Sequence, residues 1–220
     1  MEHEFLLERY LGLLGVSVVV NGVDIPTDVP AGPRSSGRFE VVFPANFAYP
    51  PNLWAAREIV EDIAPALPEA HFLLAGAHAP DSLARDLPSN VTLISPVEDM
   101  SRLFARANAA VMPVRAGAGT RLKALECLAW GVPIVGTSFA TEGIAVRANE
   151  EFLLAETPAD FIQNIRRLMD DTQLATSLVA RGKLLVEGMH SIAEVGRQIH
   201  DSLGSLDAAV EPGVRNSLAN

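Results

Sequence analysis

Lysine is almost missing from this 220-residue chain. Lys123 and Lys183 stand alone, so arginine carries nearly all of the positive charge. Lysine and arginine together number 17 against 27 acids, a formal net charge of −10. Such a surface repels a phosphate backbone, which excludes a nucleic-acid binder working by bulk charge. An anionic ligand has to be held by a local positive site. One cysteine, Cys127, excludes an intrachain disulfide and fits a reducing, cytoplasmic setting. The histidines at 3, 71, 78, 190 and 200 are scattered, and no Cys/His cluster has metal-ligand spacing. Long apolar runs are missing too. Residues 11–20 are apolar but far too short to span a bilayer, and Glu2, Glu4 and Glu8 precede them where a signal peptide carries bases. No membrane span is expected.

What is present is the composition of a globular protein with a sizeable core, 49% hydrophobic and 20% charged. Residues 2–15 read as a short amphipathic helix and 16–20 as a β-branched strand ending at the turn pair Asn21-Gly22. Residues 26–38, with Pro26, Pro30, Gly32, Pro33 and Gly37, read as a linker. From Phe39 onward strands and helices alternate. Strands are expected at 39–43, 71–75, 91–94, 109–112, 133–136 and 152–155. Helices are expected at 52–67, 100–107, 120–130, 158–169, 173–186 and 192–206. Asn52 is the expected N-cap of the first helix, and Gly131 closes the third. The tail from 208 is expected to be mobile. The strands are short and apolar without alternation, the mark of burial on both faces. With intervening helices this predicts an α/β fold with a doubly wound parallel sheet. Ligands bind such sheets at the carboxyl ends of the strands.

One post-strand segment carries the chemistry: Val114-Arg-Ala-Gly-Ala-Gly-Thr-Arg-Leu-Lys-Ala-Leu-Glu126. Gly117 and Gly119 remove Cβ atoms and allow close approach to the backbone. A helix then opens near Thr120, where free N–H groups and the positive end of the dipole favour an anion. Arg121 and Lys123 in the first turn oppose that dipole, and an anionic ligand offsets the opposition. On spacing alone two plainer readings stay open. The glycines also suit a tight turn, and Lys123 with Glu126 also suits a solvated pair. The segment is neither a Walker loop nor a dinucleotide fingerprint.

The run from Gly117 through Glu126-Cys-Leu-Ala-Trp-Gly-Val-Pro-Ile-Val-Gly-Thr-Ser138, continued by Thr141-Glu-Gly143, resembles the donor-site block of the retaining family 4 (group 1) glycosyltransferases. Asn21-Gly-Val-Asp24 is similar to the family's hinge, and residues 43–52, 71–76 and 103–113 follow in its order. The resemblance covers about residues 15–205. It implies a Rossmann-like fold, the C-terminal half of a GT-B architecture, that binds a nucleoside-diphosphate sugar and transfers a hexosyl group without metal or cofactor. Residues 1–25 then correspond to the end of an acceptor domain and its hinge, 39–207 to the nucleotide-sugar domain, and the acceptor domain or subunit is expected to be separate. The expected activity of this chain alone is therefore weak.

By the same resemblance Gly117, Ala118, Gly119 and Thr120 contact sugar or diphosphate, and Arg121 and Lys123 are the catalytic charges. Glu126 accepts from the ribose, Pro96 and Val97 lie near the base, and Glu142 meets sugar hydroxyls. Two departures stand out. Ala118 replaces the first acid of the family's Glu-x7-Glu motif. The segment Pro44-Ala-Asn-Phe-Ala-Tyr49 has no base where the family often has two, which leaves Arg115, Arg121 or Lys123 to supply charge. A nucleotide-sugar-binding module without catalysis, or less closely a sugar-nucleotide 2-epimerase, are the alternatives. Plain structural roles are expected for His78, an exposed loop residue, for Trp54 and Trp130 as packing residues, and for Cys127 as a small helix residue. Arg166 and Arg167 are expected on a solvated helix face, and Asp170-Asp171 at a helix end.

Overall fold

A computed structural model describes residues 19–27, 37–119 and 121–209, with side chains to residue 203. The expected helix at 2–15, most of the linker, Thr120 and the tail beyond 209 lie outside the described residues.

Six strands form one parallel sheet: β1 (Phe39–Asn46), β2 (Ala70–Ala77), β3 (Val91–Ile94), β4 (Ala109–Met112), β5 (Ile134–Gly136) and β6 (Leu153–Leu154). Their order is β3-β2-β1-β4-β5-β6, the doubly wound order. Period-two geometry sends alternate side chains to opposite faces, and both faces are apolar. Val41 and Phe43 enter one core with Phe72, Leu74, Val111 and Phe161. Val42 enters the other with Leu73, Met112, Leu125 and Ile134. The predicted short apolar strands are thus buried on both sides.

The helices are α1 (Pro50–Glu58), continued by a π-helical stretch (Ile59–Ile63) and a 3-10 turn (Ala64–Ala66), α2 (Met100–Arg106), α3 (Leu122–Ala129), α4 (Pro158–Asp170), α5 (Thr172–Met189) and α6 (Ile192–Ala209). Asp171 starts α5 by accepting from the N–H of Leu174 at 2.9 Å, so the Asp170-Asp171 pair does mark a helix end. A capping box opens α4: Thr157 Oγ1 accepts from Asp160 N–H at 3.2 Å, and Asp160 accepts from Thr157 N–H at 2.9 Å. Thr157→Ala is expected to remove about 1 kcal/mol of stability and lower the thermal midpoint by about 2–4 °C, readable by calorimetry.

Four sequence expectations are corrected here. Asn52 is not a cap. Tandem prolines at 50 and 51, preorganised for a first turn, start α1 earlier with Tyr49 as N-cap, and Asn52 is buried inside the helix. Trp54 is 60% exposed, because the inward face of α1 runs through Ala55, Ala56 and Ile59. Helix α3 opens at Leu122, not 120, with Arg121 as its cap residue. Of the expected strand at 16–20, residues 16–18 lie outside the described residues, and Val19 and Val20 have no regular structure. The segment after them is instead held beside α6 by a bridge from Val23 to Ser191. Buried His190 secures it: its backbone carbonyl accepts from Val23 N–H at 2.7 Å, and its Nδ1 lies 3.0 Å from the Asn21 carbonyl.

The chain crosses from one side of the sheet to the other between β1 and β4, which are hydrogen-bonded neighbours. Loops leaving their carboxyl ends diverge there and open a crevice. Residues 47–49 form one wall, and residues 113–119 with Arg121 the other.

Candidate functional site

The crevice holds two cavities that meet at Lys123. The inner one, about 210 Å³, is lined by Tyr49, Asn52, Gly117, Ala118, Arg121 and Lys123, with the face of Phe139 behind them. The outer one, about 480 Å³, is lined by Asn46, Gly76, Val97, Glu98, Lys123 and Glu126. A third, about 460 Å³, adjoins both through Leu122 and Glu126 and reaches the 22–24 segment and Trp130.

Helix α3 presents this site because its other face is committed to the core. Ala124, Leu125, Cys127, Leu128 and Ala129 are buried, and Leu128 packs so close to α5 that a Cβ on Gly182 would lie 2.7 Å from it. Cys127 is therefore a small packing residue, as expected. Lys123 and Glu126, one turn apart on the opposite side, are left facing the crevice.

Lys123 is anchored across the crevice. Its Nζ donates to Asn52 Oδ1 at 2.7 Å and sits 5.1 Å from the centroid of the Phe43 ring. Asn52 is oriented in turn by donating to the Asn46 carbonyl at 2.9 Å. Desolvation lowers the Lys123 pKa to about 8, with Arg121 adding to the shift and Glu126 opposing it. The same desolvation raises the carboxyl pKa of Glu126 against the pull of Lys123. The two are not an isolated solvated pair.

Arg121 lies flat over Phe139, its guanidinium carbon 4.0 Å from the ring centroid. Its Nε donates to the Phe139 carbonyl at 2.8 Å, and its terminal nitrogens reach the Gly119 carbonyl at 2.6 Å and Glu142 at 2.9 Å. Glu142 thus enters the site through Arg121. Arg115 does not enter it at all: a two-pronged pair with Glu58 and a bond to the Glu156 carbonyl at 2.9 Å turn it away.

The glycine loop departs from the simplest expectation. Gly117 has φ +142°, and a Cβ there would lie 2.9 Å from Tyr49 Oη. The room left by Gly117 is filled by Tyr49, whose hydroxyl accepts from Ala118 N–H at 3.1 Å. At Gly119, φ is +85° and a Cβ would meet nothing within 4 Å, so the loop is open on that side.

Of the residues singled out by sequence, Gly117, Ala118, Arg121 and Lys123 come together in the inner cavity, and Lys123, Glu126 and Val97 in the outer one. Gly119 borders the loop without lining either cavity, and Pro96, after a cis peptide bond, is exposed beside Val97. Val97 is positioned by donating its N–H to the Gly76 carbonyl at 2.9 Å. Sequence reasoning missed Tyr49, Asn52 and Phe139. The position of Tyr49 in a post-strand loop was the available signal. Among the described residues no three of His, Cys, Asp and Glu gather as metal ligands, and no helix is long and apolar enough to cross a membrane.

Residues 38–171 match the family model for glycosyl transferases group 1. This chain belongs to the group 1 glycosyl transferases. No curated protein matches it by sequence. Several solved structures match it in fold. A mutant of TarM from S. aureus, in complex with UDP among other ligands, shares 16% identity at a TM-score of 0.69 over 90% of this chain and 42% of its own. HepE from Anabaena, in complex with UDP and glucose, shares 17% at 0.68 over 86% of this chain and 56% of its own. The chain therefore spans about half the length of these two proteins. The C-terminal domain of a group 1 glycosyl transferase from Francisella tularensis is covered over its full length, 100%, by 78% of this chain, at 17% identity and a TM-score of 0.61. At these identities the likeness is one of fold, and it places the group 1 transferase described here among the Rossmann-like halves of GT-B enzymes.

Proposed function

We propose that this group 1 transferase binds a nucleoside-diphosphate sugar in the crevice and forms the donor half of a retaining, metal-independent hexosyltransferase. The observation that carries this reading is Lys123, a desolvated cation at the N-terminal end of α3 shared by two cavities of unequal size. A diphosphate centred on Lys123 projects its sugar into the inner cavity, against Gly117, Ala118 and Arg121. It projects its nucleoside into the outer one, with Glu126 accepting from the ribose and Val97 beside the base. UDP in the solved TarM and HepE complexes supports this chemical class of ligand.

Loss of the diphosphate builds negative charge on its oxygens. A helix N-terminus and fixed cations that need no reorganisation stabilise that charge. These protein groups take the role a divalent metal plays elsewhere. Transfer also needs an acceptor oriented at the crevice, since that orientation supplies much of the rate, and an acceptor domain or subunit is the partner this reading calls for. Domain boundaries follow the same reading, with residues 39–207 as the donor-binding unit, and the single buried cysteine suits a cytoplasmic protein. A second reading, a nucleotide-sugar binder without catalysis, is favoured by Ala118, which offers no carboxylate to the sugar.

Calorimetric titration of the purified chain with UDP, GDP and ADP, their monophosphates and nucleosides, with and without EDTA, tests the proposal. Affinity is expected to fall from diphosphate to monophosphate to nucleoside and to be unchanged by EDTA. No binding by any diphosphate, or binding that requires added Mg²⁺, sinks it. Release of free sugar from the bound donor separates the enzyme from the non-catalytic binder.

A further inference from the structure

The cations of the inner cavity are already engaged. Arg121 is bonded through all three of its nitrogens to Phe139, Gly119 and Glu142. Lys123 holds Asn52, while Arg115, outside the cavity, is turned to Glu58. The turn between β1 and α1 reaches the same cavity and brings no base, only Tyr49.

Tyr49 is placed by two features of the glycine loop. Its hydroxyl accepts the Ala118 N–H at 3.1 Å, across 69 residues of chain. The missing side chain of Gly117 makes that approach possible, since a Cβ would stand 2.9 Å from Oη and 3.3 Å from the ring. The phenol is therefore seated on the glycine loop at the mouth of the cavity, and it remains 41% exposed. A phenolic oxygen that accepts an amide N–H still has its own proton to donate. Among the described residues none takes that proton.

We infer that Tyr49 is a ligand-binding residue of this site, its Oη–H donating to a diphosphate oxygen held between Lys123 and the Gly117–Ala118 turn. This rests on the donor reading above and adds to it. Part of the phosphate recognition is neutral, supplied by a hydroxyl that the protein backbone itself orients. A preformed donor of this kind loses little freedom on binding, which favours it over a long flexible base at the same place. Its bond to a charged oxygen belongs to the stronger class of hydrogen bonds.

The test compares the full chain with Tyr49→Phe, which keeps the ring and removes the hydroxyl. Binding of UDP, GDP and ADP is measured beside binding of uridine, guanosine and adenosine. Tyr49→Phe is expected to weaken the bound diphosphate by about tenfold or more while leaving the nucleosides and the thermal midpoint unchanged. Equal diphosphate affinity in the two proteins overturns the inference. So does tighter binding by the variant, which would make the hydroxyl a plug over the Ala118 amide, and so does an equal loss for the nucleosides, which would make its role structural. Failure of the parent chain to bind any of the three diphosphates overturns this inference together with the donor reading; failure of the variant to differ overturns this inference alone.

Discussion

Lys123→Met is expected to weaken diphosphate binding by about a hundredfold, the largest functional effect of any single change in the crevice. The residue lines both cavities, so in the proposed complex its charge meets the diphosphate that joins them. Removing one partner of a desolvated, hydrogen-bonded charge pair has effects of about 2–5 kcal/mol in other interfaces, and a hundredfold loss lies inside that range. The fold is expected to tolerate the change. Methionine keeps an unbranched stem against Phe43, and the loss of the bond to Asn52 is offset by relief of a desolvated charge.

The pH dependence has a definite sign. Lys123 titrates near 8 in the folded chain, against 10.5 for an ordinary lysine, because burial disfavours its charged form. Affinity for a diphosphate is therefore expected to fall as pH rises through about 8, as the ammonium is lost. Stability moves the other way between about 8 and 10.5. In that window the unfolded chain holds the proton that the folded chain has released, so stability rises with pH. An anion bound beside Lys123 draws a proton back, so binding at pH 8 is expected to take up protons. Calorimetry in buffers of different ionisation enthalpy reads this directly. In Lys123→Met both the pH dependence near 8 and the proton uptake disappear. Diphosphate binding by Lys123→Met at the parent affinity would remove Lys123 from the site.

Gly76→Ala is expected to cause the largest loss of stability. A Cβ at this position would stand 1.7 Å from the Ala45 carbonyl oxygen and 2.7 Å from its carbon. Both are backbone atoms of β1, paired with β2 in the register Ala45 with Gly76, so neither yields without opening the centre of the sheet. A loss of about 3 kcal/mol or more is expected, which lowers the thermal midpoint by roughly 6–12 °C. The damage reaches the outer cavity, because Gly76 lines it and its carbonyl holds Val97. Gly119→Ala is the contrast: its Cβ meets no atom within 4 Å, and only the left-handed φ of +85° opposes it. A midpoint for Gly76→Ala within about 2 °C of the parent would show that the sheet relaxes more easily than its pairing implies.

Local patterns were enough for the architecture. Short apolar strands alternating with amphipathic helices determined the parallel sheet, and the two glycines before Lys123 determined a loop running into a helix. These follow from near-neighbour sterics and from the side-chain periods of strand and helix, which a linear sequence displays. Helix starts were less legible where two signals competed. Asn52 is a good cap by type, yet Pro50 and Pro51 began the helix before it and released Asn52 for Lys123.

Which side chain meets which was decided by tertiary structure alone. Tyr49 reaches Ala118 across 69 residues, Lys123 reaches Asn52 across 71, and Arg115 reaches Glu58 across 57. Sequence reasoning counted Arg115 among the available charges and counted the space at Gly117 as room for a ligand. The fold gave the first to a carboxylate on α1 and the second to a phenol at its start. No periodicity encodes such partners, because strand register and helix packing set the distances between them, and desolvation then sets their charge. The chain by itself determined a glycine loop running into a helix after β4, because sterics and periodicity are local; the packed structure decided which groups line the crevice there and how its cations are engaged.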